Sequence, residues 1–340
     1  MQMIKYIIKR ILMLIPVLIG VSIIVFLIMR VFSPDPAPIV LGEHATQESM
    51  QAWRQANGLN DPVWLQYVNY IKDALTGNLG TSYYTKAPVT QEIFSRFPAT
   101  IELAIAAIIF ASVIGILLGV VSAVKKNSIF DNGGRVLALI GVSMPIFWLG
   151  ILLIILFSGT LHWLPSTGRL NPLYQPPAMT GFYLIDSIAS GNTQALADSL
   201  RHLVLPALAL GMYSMAIITR MTRSSMLESL DQDYIRTARA KGISNRKVIH
   251  KHALRNALIP IVTVIGLQFG SLLGGAVLTE TVFSWPGIGA YTVNCILKSD
   301  FPVVQGVVLL VAVVYVLVNL AVDIIYAFLD PRIKYAKREV

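Results

Sequence analysis

TIELAIAAIIFASVIGILLGVVSAV, residues 100–124, decides the class of fold. The run holds a single charge, Glu102, close to its start. Roughly 20 apolar residues rising 1.5 Å each cross about 30 Å of hydrocarbon as a helix, so this stretch reads as a membrane span. Outward from it, residues 11–31, 136–161, 202–219, 257–279 and 302–329 read the same way. Of the 340 residues, 55% are hydrophobic and 13% charged, about half the charge of a soluble domain. The expectation is an all-α membrane protein with six transmembrane helices. Pro16, Pro145 and Pro206 fall within or beside spans and predict kinks, because each removes a backbone donor.

Charge sets the expected orientation. The loops sharing a side with the N-terminus hold 19 of the 27 Lys and Arg but 7 of the 18 acids. By the positive-inside rule that side is cytoplasmic, and both termini lie there. This sorting accounts for the net charge of +9 without a nucleic-acid partner, and no basic run with interleaved aromatics argues otherwise. The first span follows Lys5, Lys9 and Arg10 but is too long for a secretory signal, so it reads as a retained anchor. Cys295 stands alone, which excludes an internal disulfide or a Cys-built zinc site.

The expected organisation is an N-terminus and first helix over 1–32, an outer segment over 33–98, a five-helix core over 99–330 and a tail over 331–340. In the outer segment Asp61 and Pro62 read as N-cap and first residue of an amphipathic helix. Val63, Trp64, Tyr67, Val68, Ile71 and Leu75 give its apolar face, and Gly77 its left-handed stop. That face suits packing on the membrane domain or an extracytoplasmic partner. A second outer loop over 162–201, rich in Pro and Gly, predicts irregular structure with one short helix.

Between the fourth and fifth spans, where the cytoplasmic loop covers 221–256, lies the most charged stretch of the chain, LDQDYIRTARAKGISNRKVIHKHALRNALIP at 230–260. Asp231 reads as the N-cap of a short helix ending at Gly242, with Asp233 in the first turn and Lys241 in the last. Ser244 then caps a second helix that runs into the fifth span. The short helix places Tyr234, Ile235 and Ala238 on one side and Arg236, Arg239 and Lys241 on others, a form suited to docking in a groove, with small Ala238 permitting close approach.

These residues carry a resemblance. The loop resembles the EAA signature of bacterial ABC-importer permeases, with the family's Glu-Ala-Ala on Arg236, Thr237 and Ala238 and its glycine on Gly242. The first two positions depart from the family, and Arg255 stands where many members have proline. RMTRSSMLESLDQDYIRTARAKG (220–242), HALRNALIP (252–260), TETVFSWPGIG (279–289), IFSRFPATIEL (93–103), SMPIFWLG (143–150) and GLNDPVWLQY (58–67) look like the dipeptide and oligopeptide permeases, most like the first-subunit type of dipeptide permease. The resemblance implies a type I importer permease fold with a partly helical periplasmic segment in the bacterial inner membrane. It also implies a second, similar permease, two ATPase subunits that use ATP and Mg, and a periplasmic substrate-binding protein. It implies translocation of dipeptides or short peptides, with nickel chelates, haem or antimicrobial peptides as other cargoes of such machinery. A gradient-driven transporter is the reading from another class.

No Gly-x-x-x-x-Gly-Lys-[Ser/Thr] phosphate cradle occurs, so ATP hydrolysis belongs to separate subunits, and the chain is expected to bind no cofactor or metal and to carry no catalytic residue. His250 and His252, two apart on a helix, face different ways and make a poor metal pair. Glu102 and Glu280, near the outer ends of their spans, and Trp285, Pro286 and Gly287 of the WPGIG turn are candidates for a translocation path or gate. Asp323, one turn from Asn319, reads as a structural hydrogen-bonding position.

Overall fold

The computed structural model describes residues 2–31, 34–42 and 44–329. The expected tail 331–340 lies outside them. Among the described residues the regular elements are helices, with one isolated β-bridge between Thr81 and Pro88. In order they are α1 (Gln2–Val31), α2 (Pro36–Leu41), α3 (Gln47–Ala56), α4 (Val63–Leu75), α5 (Val89–Val124), α6 (Ile129–Ser143) and α7 (Ile146–Leu153). There follow α8 (Tyr183–Ala189), α9 (Thr193–Leu230), α10 (Asp233–Ala240), α11 (Asn245–Lys247), α12 (Leu254–Val282), α13 (Ile288–Leu297) and α14 (Phe301–Leu329). Among the described residues five helices are long and apolar enough to cross a membrane, and α6 with α7 makes a sixth if the bent pair is one crossing.

The centre is a seam between α5 and α9. Ala99, Leu103, Ala107, Ala111, Gly115, Gly119 and Ala123 recur every fourth residue of α5, and all are buried. A Cβ on Gly115 would stand 2.9 Å from Ile218, on Gly119 2.4 Å from Thr222, and on Gly211 2.7 Å from the Ala107 carbonyl. Small residues at this spacing let two backbones approach where no hydrophobic drive separates helix from lipid. The pairings rise together along both chains, so α5 and α9 run parallel. Their C-termini define one end of the bundle, called here the basic end. Gly141 of α6 meets Met212 and Ala216, while its first turn meets Arg223, so α6 runs back antiparallel to α9.

The third predicted span is not one helix. α6 stops at Ser143, and α7 leaves at 108° to it. Met144 is extended (φ −86°, ψ 125°) because the ring of Pro145 disfavours the helical region for the residue before it. Pro145 therefore gives a break where a kink is expected, whereas α1 and α9 continue through Pro16 and Pro206. A turn of π-helix, Ile154–Thr160, extends α7. The second outer loop also ends earlier than expected. α9 begins at Thr193, where the Asn192 side chain accepts from the Ala195 amide at 3.0 Å. Asp198, Arg201 and His202 dilute the apolar signal of these turns, although Ala195 and Ser199 are buried.

In the outer segment α4 starts one residue later than predicted. Pro62 is its N-cap and Asp61 makes no cap, serving instead through its carbonyl, which accepts from Gln66 at 2.7 Å. Gly77 does take the left-handed conformation (φ +82°). Tyr67 and Tyr70 pack on Phe26 of α1, with ring centroids 5.4 and 5.9 Å apart, and the Tyr67 hydroxyl shares a 2.8 Å hydrogen bond with Ser22. Trp64, Val68 and Leu75 stay exposed, so the apolar face is divided between α1 and the surroundings. Asp300, buried before α14, accepts from the Tyr83 amide at 2.9 Å and from the Ser82 hydroxyl, which ties the segment to the last helix.

Candidate functional site

At the basic end α10 is a short amphiphilic rod held from one side. Ile235 is 0% exposed and Ala238 6%. Both join the main apolar core with Met226 of α9 and with Val248 and Ala253 of the π-turn that links α11 to α12. Tyr234, 40% exposed, and Arg236, Thr237, Arg239 and Lys241 face outward. The close approach that small Ala238 permits is therefore to this chain's own helices, while the outward face is cationic. Gly242 (φ +73°) closes the helix: its amide donates to the Arg239 carbonyl at 2.9 Å, and the Ile243 amide reaches back to the Ala238 carbonyl at 3.2 Å. This is a Schellman closure, and it depends on a left-handed residue after the C-cap. The expected N-cap is corrected. Asp231 terminates α9 as its C-cap, and Gln232, extended, precedes α10 without a side-chain cap bond. Helical turns persist to Leu230 because Met226 and Ser229 are still buried.

A second feature of this end escapes the sequence reading. Asp131 in the first turn of α6 is wholly buried and takes a bidentate ion pair from Arg223 of α9, with Nε at 2.7 Å and Nη2 at 2.8 Å. The Asn127 amide donates to the same carboxylate at 2.9 Å. Two parallel charge-assisted bonds fix orientation as well as distance. The pair thus clamps the start of α6 to α9 about two turns before α9 ends. The only local signal is Asp131 three residues after its helix cap, Ser128.

At the opposite end Glu102, Glu280, Trp285 and Gly287 are buried among polar contacts, while Pro286 is exposed. Glu102 accepts from Arg169 Nε at 2.8 Å and from the Leu184 amide at 2.9 Å, with Arg169 Nη2 also within 2.7 Å. The Arg169 guanidinium lies 3.9 Å over the Tyr183 ring and 6.0 Å from the Trp285 ring, and donates to the Gly181 carbonyl at 2.8 Å. Glu280 accepts from Thr100 Oγ1 at 2.6 Å and from the Ala290 amide at 2.9 Å. Trp285 Nε1 donates to the Ala99 carbonyl at 2.8 Å, and the Ile288 amide to Thr100 Oγ1 at 2.9 Å. A Cβ on Gly287 would stand 2.2 Å from Glu280 Oε1, so glycine is required where the WPGIG turn crosses the carboxylate. Buried carboxylates are tolerated only with such partners.

Glu280, Trp285, Pro286 and Gly287 line a cavity of about 430 Å³ together with Arg96 and Tyr291. Glu102 is not part of that lining. The structure thus brings four of the five path candidates to one cavity and commits Glu102 to Arg169, a partner 67 residues away that sequence reading missed. Asp323 and Asn319 lie on α14, far from both ends of this arrangement in sequence.

Comparison with known proteins agrees with this architecture. Residues 115–335 match the family described as binding-protein-dependent transport system inner membrane component, and residues 3–104 match the description of its N-terminal part. The dipeptide transport system permease protein DppB of Alkalihalophilus pseudofirmus is 52% identical over 333 residues, 98% of this chain and 100% of the relative. The di/tripeptide transport system permease protein DppB of Pseudomonas aeruginosa is 48% identical over 98% of this chain and 100% of its own length. The dipeptide transport system permease protein DppB of Escherichia coli is 47% identical with the same coverage. With the family match spanning more than half the sequence and relatives of this identity aligned end to end, the chain belongs to the binding-protein-dependent transport system inner membrane components.

Proposed function

We propose that this chain is the membrane-spanning permease subunit of an ATP-driven importer that moves dipeptides or short peptides across a bacterial inner membrane. The observation that carries the reading is α10: a rod fixed to the permease core by Ile235 and Ala238, closed at Gly242, and presenting Tyr234, Arg236, Thr237, Arg239 and Lys241 outward. The cargo assignment draws on relatives whose names specify dipeptides and di/tripeptides.

In this reading the basic end is cytoplasmic, as are both termini, and the outer segment is periplasmic. A second, similar permease completes the pathway, two ABC ATPases seat on the outward face of α10, and a periplasmic binding protein delivers substrate. The chain itself is non-catalytic and binds no cofactor; ATP and Mg act in the ATPases. Nucleotide binding draws the ATPases together, α10 moves with them, and the α5–α9 seam carries the displacement to the cavity at the WPGIG turn. ATP shifts this equilibrium because it binds one orientation more tightly than the other, and a ligand equally bound to both would move nothing.

The test is reconstitution of the four-subunit membrane complex with its binding protein and labelled dipeptide. ATP-dependent uptake, competed by unlabelled dipeptide and lost without the ATPases, is expected. Uptake that persists without ATPases would establish a gradient-driven carrier instead, and failure of dipeptide to compete against a nickel chelate or haem would replace the cargo.

A further inference from the structure

α6 and α9 leave a groove of about 440 Å³ between them near the basic end, and it is amphiphilic along its length. Its rim toward the basic end carries three guanidiniums, Arg135, Arg220 and Arg223, and farther from that end along α6 it is lined by apolar Leu139 and Val142. The charge there is compensated only in part, by one carboxylate among three guanidiniums. Asp131 is fully buried behind the rim and is taken by Arg223, with Arg135 at 3.6 Å, while Arg220 makes no ion pair among the described residues. Arg223 spends two of its five donors on Asp131, which leaves the rest for a further acceptor. Leu139 is 67% exposed and Val142 44%, so the wall is open to whatever surrounds α6.

We propose that this groove is a binding site for an anionic phospholipid of the leaflet at the basic end. The headgroup phosphate sits among the three guanidiniums and an acyl chain lies along Leu139 and Val142. The order of chemistry, cations at the rim and hydrocarbon deeper in, matches a phospholipid placed along the bilayer normal. A soluble anion would use only the rim, and a protein occupant would need carboxylates there together with an apolar ridge. Basic pockets between transmembrane helices bind anionic headgroups in this way, and each Arg or Lys near the surface contributes about 1 kcal/mol. The site rests on the membrane placement proposed above.

The test uses the assembled complex in non-ionic detergent, titrated with dioleoylphosphatidylglycerol or dioleoylphosphatidylcholine and weighed intact by native mass spectrometry. One phosphatidylglycerol retained in preference to phosphatidylcholine is expected, bound about 30-fold more weakly by Arg135→Gln/Arg220→Gln, roughly fivefold per guanidinium. Arg135→Lys/Arg220→Lys should keep most of the preference, which separates lost charge from lost folding. Arg223 is left intact because it holds Asp131. Three results overturn the site: equal retention by the Gln variant, displacement of the lipid by excess inorganic phosphate, or loss of the second permease from the Gln variant with lipid unchanged. Orientation is read separately by labelling single cysteines at exposed loop positions in sealed vesicles. A reversed result there would overturn the membrane orientation while leaving the retention measurement valid.

Discussion

Gly287 and Gly133 show how differently two glycines are used. An added Cβ at Gly287 would enter the Glu280 carboxylate at 2.2 Å, whereas one at Gly133, inside α6, meets nothing within 4 Å. Gly287→Ala should therefore displace Glu280 from Thr100 and abolish uptake. Gly133→Ala should raise thermal stability by up to about 1 kcal/mol through helix propensity. Unchanged uptake in Gly287→Ala would mean that the carboxylate moves aside freely. The Glu102–Arg169 pair gives a second expectation at this scale. Either Glu102→Gln or Arg169→Ala leaves a buried group without its partner and should cost about 3 to 5 kcal/mol in detergent unfolding. The double substitution Glu102→Gln/Arg169→Met should recover part of the loss, and purely additive losses would show that the two residues act independently.

Among elements, α10 separates two roles that its sequence had merged. Ala238→Arg should destabilise the permease even when purified without partners, because the side chain enters the apolar core, where overpacking costs about 1 to 3 kcal/mol. Tyr234→Ala/Arg239→Glu alters the outward face and should leave that stability unchanged while releasing the ATPases from the complex. Identical unfolding of Ala238→Arg and wild type, or full ATPase retention by the surface variant, would refute the division. The same elements show how far sequence reaches. The apolar runs that become α1, α5, α9, α12 and α14 were legible because hydrocarbon thickness imposes a length on each. Gly242 was legible because its left-handed turn is a local demand. The α6–α7 break was half visible: Pro145 marks the place, but an angle of 108° depends on where α9 and α12 receive α7. The pairs Asp131–Arg223 and Glu102–Arg169 join residues 92 and 67 apart, and no local pattern records such distant choices. Asp231 failed as a cap because burial of Met226 and Ser229 extended α9 past the point its polarity suggested.

For the whole molecule the proposed mechanism makes the α5–α9 seam the link between the two ends. Gly115→Ala would bring a methyl within 2.9 Å of Ile218 and 3.0 Å of the Met215 carbonyl, forcing the pair apart. ATPase retention should persist, since α10 is untouched, and peptide moved per ATP hydrolysed should fall. Gly275→Ala in α12, with nothing within 4 Å, is the control and should transport as wild type. Equal transport ratios in the two variants would remove the seam from the mechanism.

The seam has a mechanical consequence. Helices of 36 and 38 residues, each about 55 Å long and closely packed at Gly115, Gly119 and Gly211, are built as one shaft. In the proposed cycle a tilt applied at Leu230 would pass along it to Ala99 and Thr100, and with them to the tryptophan and carboxylate they hold. In the proposed cycle compliance falls where the rods are interrupted, and Met144–Pro145 is such an articulation, where α6 and α7 part at 108°.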